Sequence, residues 1–448
     1  MAIAQTDLTQ GSIPKKLARF AAPLVLSSVL QSAYGIVDMI VAGNFIGPNA
    51  LSAINNSSTV MYMLTQIIIG LATGANILIG QYYGAKEREN WQAATTTQFT
   101  FSMLAGLITA AVMVLLSRPL LILLKAPALE PATEYLQICS IGILFIFGYN
   151  ANSAALRAVG NSRAPLICVI CTAVMNIVLD LVFVAVLRMG TAGTALATVI
   201  SQGVSFFVSL GFVLKGRNIF GLSLKKLYIR GDKLRRFLKL GIPCAVQMSV
   251  AALSWLVVTY LLNDYGIAVS AGNGIAGKIR DFCLLFTHAM CSASTAMVAQ
   301  CVGAGKLDRA RKVMYTCMAM TVGIAAVLIL FVELTAPVLV QGFTDDPETA
   351  AYAVKNLRIE IIGQIFYASF FVYHTLALGV GNSWFAFCSS FVNCILVRLV
   401  LAIILNHFFG AEGIYWACMI APFSSVPIGL WYERSNHWRK YAAREHLS

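Results

Sequence analysis

Long apolar runs recur from one end of the 448-residue chain to the other, separated by short polar stretches. An α-helix needs about 20 apolar residues to cross the hydrocarbon core of a bilayer, and about twelve runs of that length can be placed. The pattern predicts helices over 14–45, 53–79, 92–117, 133–155, 164–187, 193–214, 236–263, 273–303, 312–336, 352–378, 384–407 and 413–433. Spanning strands are disfavoured. In lipid the backbone must satisfy its own hydrogen bonds, which leaves helices or closed barrels, and barrel strands alternate polar with apolar residues.

The pattern repeats itself. Pro23 matches Pro243, and Gln81-Tyr82-Tyr83-Gly84-Ala85 matches Gln300-Cys301-Val302-Gly303-Ala304. Ala158-Val159-Gly160-Asn161-Ser162 matches Gly379-Val380-Gly381-Asn382-Ser383, and Gly190-x-x-Gly193 matches Gly410-x-x-Gly413. All four pairs stand about 220 residues apart and in the same order, the mark of an internal duplication. The expected fold is an all-α membrane protein of about 12 transmembrane helices in two pseudo-two-fold-related six-helix lobes. Residues 1–214 form an N-lobe (helices 1–6), 215–235 a linker, and 236–448 a C-lobe (helices 7–12). An even number of spans per half makes the repeat parallel, an architecture of secondary transporters that bind substrate near the midplane.

Composition agrees: 58% of residues are hydrophobic and 11% charged, against about 25% charged in soluble domains. The net charge of +13 does not signal nucleic-acid binding, because the basic residues lie between the apolar runs. They are asymmetric. With the N-terminus in the cytoplasm, most of the 32 Lys and Arg fall on the cytoplasmic side, including Lys15, Lys86, Arg163, Lys225, Arg309 and Arg439. Both termini and the linker are therefore expected in the cytoplasm. The opening MAIAQTDLTQ lacks the pattern of a cleaved signal peptide. Eleven cysteines lie mostly inside apolar runs and read as small hydrophobes; Cys168-x-x-Cys171 has no second pair at metal-site spacing.

Only Asp38 and Asp180 are acidic residues well inside spans of the first half. An intramembrane carboxylate costs about 3 kcal/mol and marks function by default; the alternative is a group satisfied by neighbouring hydroxyls. Each lies near the outer end of its helix, roughly 10 Å below the surface at about 1.5 Å per residue. Asn176 shares a helix face with Asp180, and Thr198 lies at similar depth. Together they offer oxygen ligands for a hard cation, or a carboxylate pair that carries a proton. The residues do not choose between Na⁺ and H⁺. In the second half Asp281 and Glu360 have basic neighbours, Arg280 and Arg358, and read as local ion pairs. Arg398, deep in a span, either lines a cavity or packs against a carbonyl. His288 and His374 read as core histidines. Pro23 and Pro243 are candidate helix bends. The Gly-Asn-Ser segments read as tight turns, and no phosphate-binding loop motif is present. A weak substrate-cavity set is Tyr34, Tyr149, Asn150, Met290, Tyr367 and Arg398, drawn from aromatics and methionines that helix packing explains equally well.

The chain resembles the multidrug and toxic-compound extrusion (MATE) family over essentially its whole length. Pro23, Val37-Asp38 with Ala42-Gly43, Gly80 to Ala85, Ala158 to Ser162, Asn176 to Asp180 and Gly193 to Thr198 carry the resemblance. It implies that Asp38, Asn176, Asp180 and Thr198 form the N-lobe cation site, within a V-shaped two-lobe fold that exports drugs against Na⁺ or H⁺. Asn161 and Asn382 stand where many members carry Asp. The second half lacks the acids of the NorM-like branch: its corresponding stretches read Val246-Gln247-Met248-Ser249 and Gln364-Ile365-Phe366-Tyr367. That pattern looks closer to the DinF-like branch.

The expected function is secondary antiport of amphipathic or cationic organic compounds by alternating access, as a monomer in the plasma membrane of a prokaryote. The partners are organic substrates and membrane lipids, with no nucleic acid and no cofactor beyond the driving ion. The alternative is a lipid-linked saccharide flippase of the same superfamily. No nucleophile or acid–base motif suggests an enzyme. The topology has a direct check: a cysteine at Lys225 (Lys225→Cys) should react with an impermeant maleimide only after the cells are permeabilised, and labelling in intact cells would overturn it.

Overall fold

The computed structural model describes residues 6–46, 48–123, 126 and 128–447; Met1–Gln5 and the side chains of Ala42 and Arg444 lie outside it. The described residues are helical, with no strand. In chain order the helices are α1 (Ile13–Phe45), α2 (Pro48–Gly84), α3 (Arg88–Leu123), α4 (Leu129–Ala158), α5 (Arg163–Asp180), α6 (Gly190–Lys215), α7 (Arg217–Phe220), α8 (Gly231–Asn263) and α9 (Ile267–Gly303). They continue as α10 (Leu307–Gln341), α11 (Pro347–Ile362), α12 (Gln364–Val380), α13 (Ser383–Phe391), α14 (Arg398–Phe409), α15 (Ala411–Ile420), α16 (Ser425–Arg434) and α17 (His437–Leu447). Eleven described helices are long and apolar enough to cross a membrane, and α11 with α12, bent by 43° at Gly363, makes a twelfth span. Many large apolar side chains on these helices are exposed, among them Leu115, Leu334 and Ile267, as lipid-facing surfaces require.

Three spans are less regular than periodicity predicts. A π-helical segment, Leu181–Val186, continues α5, and another, Val392–Val397, joins α13 to α14. The last span breaks at Pro422, between α15 and α16, because proline cannot donate the next backbone hydrogen bond. The segment 215–235 is not wholly extended: α7 lies within it, and Trp91 Nε1 donates to its Ile219 carbonyl at 2.7 Å.

The Gly-Asn-Ser segments are the tight turns expected. Gly160 and Gly381 have φ of +82° and +98°, a region that costs a residue with a Cβ. Asn161 Oδ1 accepts from the N–H groups of Arg163 and Ala164, and Asn382 Oδ1 from Phe385. Each asparagine thereby satisfies donors that the next helix start leaves unpaired.

The chain divides into two compact units. Unit 1 holds residues 1–7 and 22–245, and unit 2 holds 8–21 and 246–448. The divisions in α1 and α8 fall beside Pro23 and Pro243. In unit 2, Arg309 Nη2 donates to the Gln10 and Gly11 carbonyls at 2.8 and 2.9 Å, and Gln300 Oε1 accepts from Leu8 N–H. In unit 1, Lys233 and Arg236 both donate to the Tyr82 hydroxyl. There α2 and the start of α8 cross at backbone contact: a Cβ on Gly70 would lie 2.3 Å from Ala245 Cα. No room exists for a methyl group, so Gly70→Ala should lower thermal stability by about 2 kcal/mol through overpacking. Gly211→Ala, on α6 where a Cβ meets nothing within 4 Å, should leave the melting temperature of the purified protein unchanged.

Candidate functional site

In unit 1, α1 presents Asp38, while Asp180 ends α5 where the helix passes into its π-helical continuation. Asp180 is fully buried and Asp38 is half-buried. The two carboxyl groups interact side chain to side chain. Neither oxygen of Asp180 has a hydrogen-bond donor, nor does the buried Oδ1 of Asp38. Asn176, one helical turn before Asp180, is buried with both amide atoms unpartnered. Three of the four residues expected at the cation site are therefore buried or half-buried with open ligand atoms.

Thr198 differs. It lies on α6, which packs against α5, but its hydroxyl donates to the Thr194 carbonyl at 3.0 Å within its own helix. One turn earlier, the Thr194 hydroxyl is buried without a partner. Spacing gave no reason to prefer Thr194, since both threonines lie on one helix face.

Tyr34 and Tyr135 stand close enough to Asp38 to sense its charge, and Tyr149 close to Tyr34. Tyr135, on α4, also reaches Cys139 and Ser58. Nothing in the chain pattern singled out Tyr135, because burial of its hydroxyl beside Asp38 is a tertiary fact. Asn150 is occupied locally, donating to the Ile146 carbonyl at 2.9 Å.

The remaining cavity candidates belong to unit 2. Tyr367 and Arg398 meet: Arg398 Nη2 donates to the Tyr367 hydroxyl at 2.7 Å. Met290 is buried, its carbonyl facing Cys317 Sγ on α10. Glu360 is buried and pairs with Arg280 of α9, whereas Arg358 lies 3.7 Å from Glu333. Asp281 does pair with its neighbour Arg280, at 3.5 Å, but Glu360 does not pair with Arg358: residues two apart on a helix point away from each other, so Glu360 takes its partner from another helix. His374 is buried and meets Gln247 Nε2 at 3.0 Å, and His288 lies against Phe371 with centroids 4.5 Å apart.

Among the described residues no three His, Cys, Asp or Glu side chains converge as a metal site. The open oxygens of Asp38, Asn176 and Asp180 instead suit a hard monovalent cation or a shared proton.

A helical bundle with paired repeats and an isolated carboxylate pair inside one unit describes a multi-pass membrane transporter. The MatE family pattern matches residues 23–182 and 243–404, and the chain belongs to that family, one of transporters rather than enzymes. A "Probable multidrug resistance protein YpnP" of Bacillus subtilis is 30% identical, covering 97% of both chains. A "Multidrug export protein MepA" of Staphylococcus saprophyticus is 23% identical over 92% of this chain and 91% of its own. The fold matches an outward-facing MATE transporter of the MOP superfamily with a TM-score of 0.91 at 19% identity, covering 98% of this chain and 99% of the other.

Unpaired buried carboxylates are destabilising, which the site's own titration should reveal. In Na⁺-free buffer Asp180→Asn should unfold at higher temperature than the wild type, by an amount corresponding to about 1–3 kcal/mol. Lowering the pH, which protonates the pair, should stabilise the wild type more than the variant in the same unfolding measurement.

Proposed function

We propose that this chain exports amphipathic or cationic organic compounds across the plasma membrane of a prokaryote, driven by Na⁺ or H⁺ bound at Asp38 and Asp180. The observation that carries this reading is the side-chain interaction of two carboxyl groups with no other donor for either oxygen of Asp180 or for the buried Oδ1 of Asp38. In an apolar pocket their repulsion is large, and a cation or proton relieves it. Asn176 adds an open oxygen, and Tyr34 and Tyr135 lie close enough to Asp38 to sense its charge. The names of the relatives, a multidrug resistance protein and a multidrug export protein, support the substrate class. They do not favour the saccharide-flippase alternative.

Coupling needs two conformations with different affinity for the driving ion. Pro23 supplies the place to bend. It lies in the helix that carries Asp38 and beside the point where the chain passes from unit 2 to unit 1. Ser27 Oγ donates to the Pro23 carbonyl at 2.8 Å. Pro243 occupies the corresponding point of α8. Bending at these two prolines, with residues 1–214 and 236–448 acting as lobes, is our account of alternating access. The protein works as a monomer, with both termini and the 215–235 segment cytoplasmic. The absence of acids at Val246–Ser249 and Gln364–Tyr367 supports a reading nearer the DinF-like branch.

The test is efflux of a cationic dye from proteoliposomes with Na⁺ and proton gradients imposed separately. Asp38→Asn and Asp180→Asn should reduce gradient-driven efflux to background while the protein still inserts and folds. Glu412→Gln, which removes a surface ion pair with Lys355, should leave efflux near wild type. Full efflux by Asp180→Asn would move the coupling site out of unit 1.

A further inference from the structure

One stretch of the 215–235 segment departs from the polar composition of an ordinary loop. Leu224-Lys225-Lys226-Leu227-Tyr228-Ile229-Arg230 interleaves apolar and basic residues. Leu224, Leu227, Tyr228 and Ile229 are between 39% and 50% exposed, and Lys225 and Lys226 are exposed among them. A contiguous exposed apolar patch marks a contact with a protein or a membrane.

The stretch is pinned at both ends to α3 of the same unit. Before it, Trp91 Nε1 and Gln92 Nε2 donate to the Ile219 carbonyl, and Phe220 and Leu222 are buried. Gly221 has a φ of +67° and approaches α3 so closely that a Cβ would lie 2.7 Å from Gln92 Cβ. After it, Arg230 N–H donates to Thr97 Oγ1 at 3.1 Å. Between the anchors, Lys226 N–H closes one turn on the Ser223 carbonyl at 3.0 Å. A segment fixed in this way presents its exposed side chains as a defined surface.

The anchors also set its height. From Gln92 to Thr97, α3 rises about 7.5 Å at 1.5 Å per residue. Just beyond, from Phe99 to Leu116, α3 is largely apolar, and Leu104, Leu107 and Ile108 are exposed. The apolar span that includes α8 begins at Gly231, the residue after Arg230. The stretch therefore ends at the level where two spans enter lipid, which is the headgroup region of the bilayer.

Charge names the kind of lipid. Residues 215–239 hold nine basic side chains against one acidic one, Asp232. Arg230 pairs with Glu89 at 3.4 Å and with Asp232 at 3.3 Å, and Lys233 takes Asp232 at 3.2 Å. Among the described residues neither Lys225 nor Lys226 forms an ion pair. Lysine stems lie along apolar surface while their ammonium groups reach for anions, and tyrosine favours the level where one end is apolar and the other wet. A phospholipid with an anionic headgroup offers both complements in one molecule: phosphate for the lysines and acyl chain for the apolar side chains.

We propose that residues 224–230 bind anionic phospholipid, with Lys225 and Lys226 on the headgroup and Leu227 and Ile229 against the acyl chains. The segment between the spans is then a membrane-surface anchor for unit 1.

The test is native mass spectrometry of the purified full-length protein, titrated with phosphatidylglycerol or with phosphatidylcholine of the same acyl chains. A basic residue close to anionic lipid contributes about fivefold to binding. The wild type should bind phosphatidylglycerol at least about tenfold more tightly than phosphatidylcholine. Lys225→Gln combined with Lys226→Gln should bring the two lipids near parity with the melting temperature unchanged, since both side chains are exposed. Arg434→Gln combined with Lys440→Gln, which removes two exposed basic residues of unit 2, should keep the preference. Leu227→Ser should weaken both lipids several-fold. Equal binding of the two lipids by the wild type, the same loss in the unit 2 variant as in the lysine variant, or undiminished binding in Leu227→Ser would each overturn the proposal. A dimer that dissociates in the lysine variant would make a second copy the occupant and overturn it as well. Lipid binding is read without transport, so the outcome of dye efflux leaves this result standing.

Discussion

Two carboxyl groups that interact side chain to side chain inside an apolar bundle, with no other donor for either oxygen of Asp180 or for the buried Oδ1 of Asp38, are the interaction on which the candidate site is built. An isolated carboxylate in lipid is already costly, and a second beside it adds repulsion that a low dielectric does little to screen. Asp38 sits on a helix that contains Pro23, and Asp180 sits where α-helical pairing gives way to a π-helical turn.

The surrounding bundle supplies stiffness. Backbone groups in lipid must pair within their own segment, so every span is helical. Packing then depends on how closely backbones approach, and Gly70 lets α2 meet the start of α8 without an intervening side chain. Asparagine caps at 161 and 382 complete the helix starts that follow each left-handed glycine. Pro23 and Pro243 lie beside the points where the chain passes from one unit to the other.

Charge is distributed unequally between the repeats. Unit 1 holds the Asp38–Asp180 pair, with no other donor to either oxygen of Asp180, and unit 2 the buried Arg398, hydrogen-bonded to two hydroxyls. Duplication made the helices after Asn161 and Asn382 alike in turn, cap and π-helical segment, and substitution then gave them different ionisable residues. The internal repeat therefore conserves shape more strictly than chemistry.

The amino-acid sequence by itself determined the helices, the repeat, the family and the two acids. These are one-dimensional properties: the length of an apolar run, the spacing of matched motifs and the rarity of a charge in lipid. It placed Asp38, Asn176 and Asp180 together through depth and helix face, because an α-helix converts residue number directly into height and direction. Tertiary structure alone decided the rest. Glu360 pairs with Arg280 rather than its neighbour Arg358, Tyr135 stands beside Asp38, and Ser254 joins Arg398 to the Cys394 carbonyl. The π-helical turns at Leu181–Val186 and Val392–Val397 have no periodic signature either. Contacts between helices depend on their rotation and crossing, which packing of the whole bundle sets and no single run of residues records.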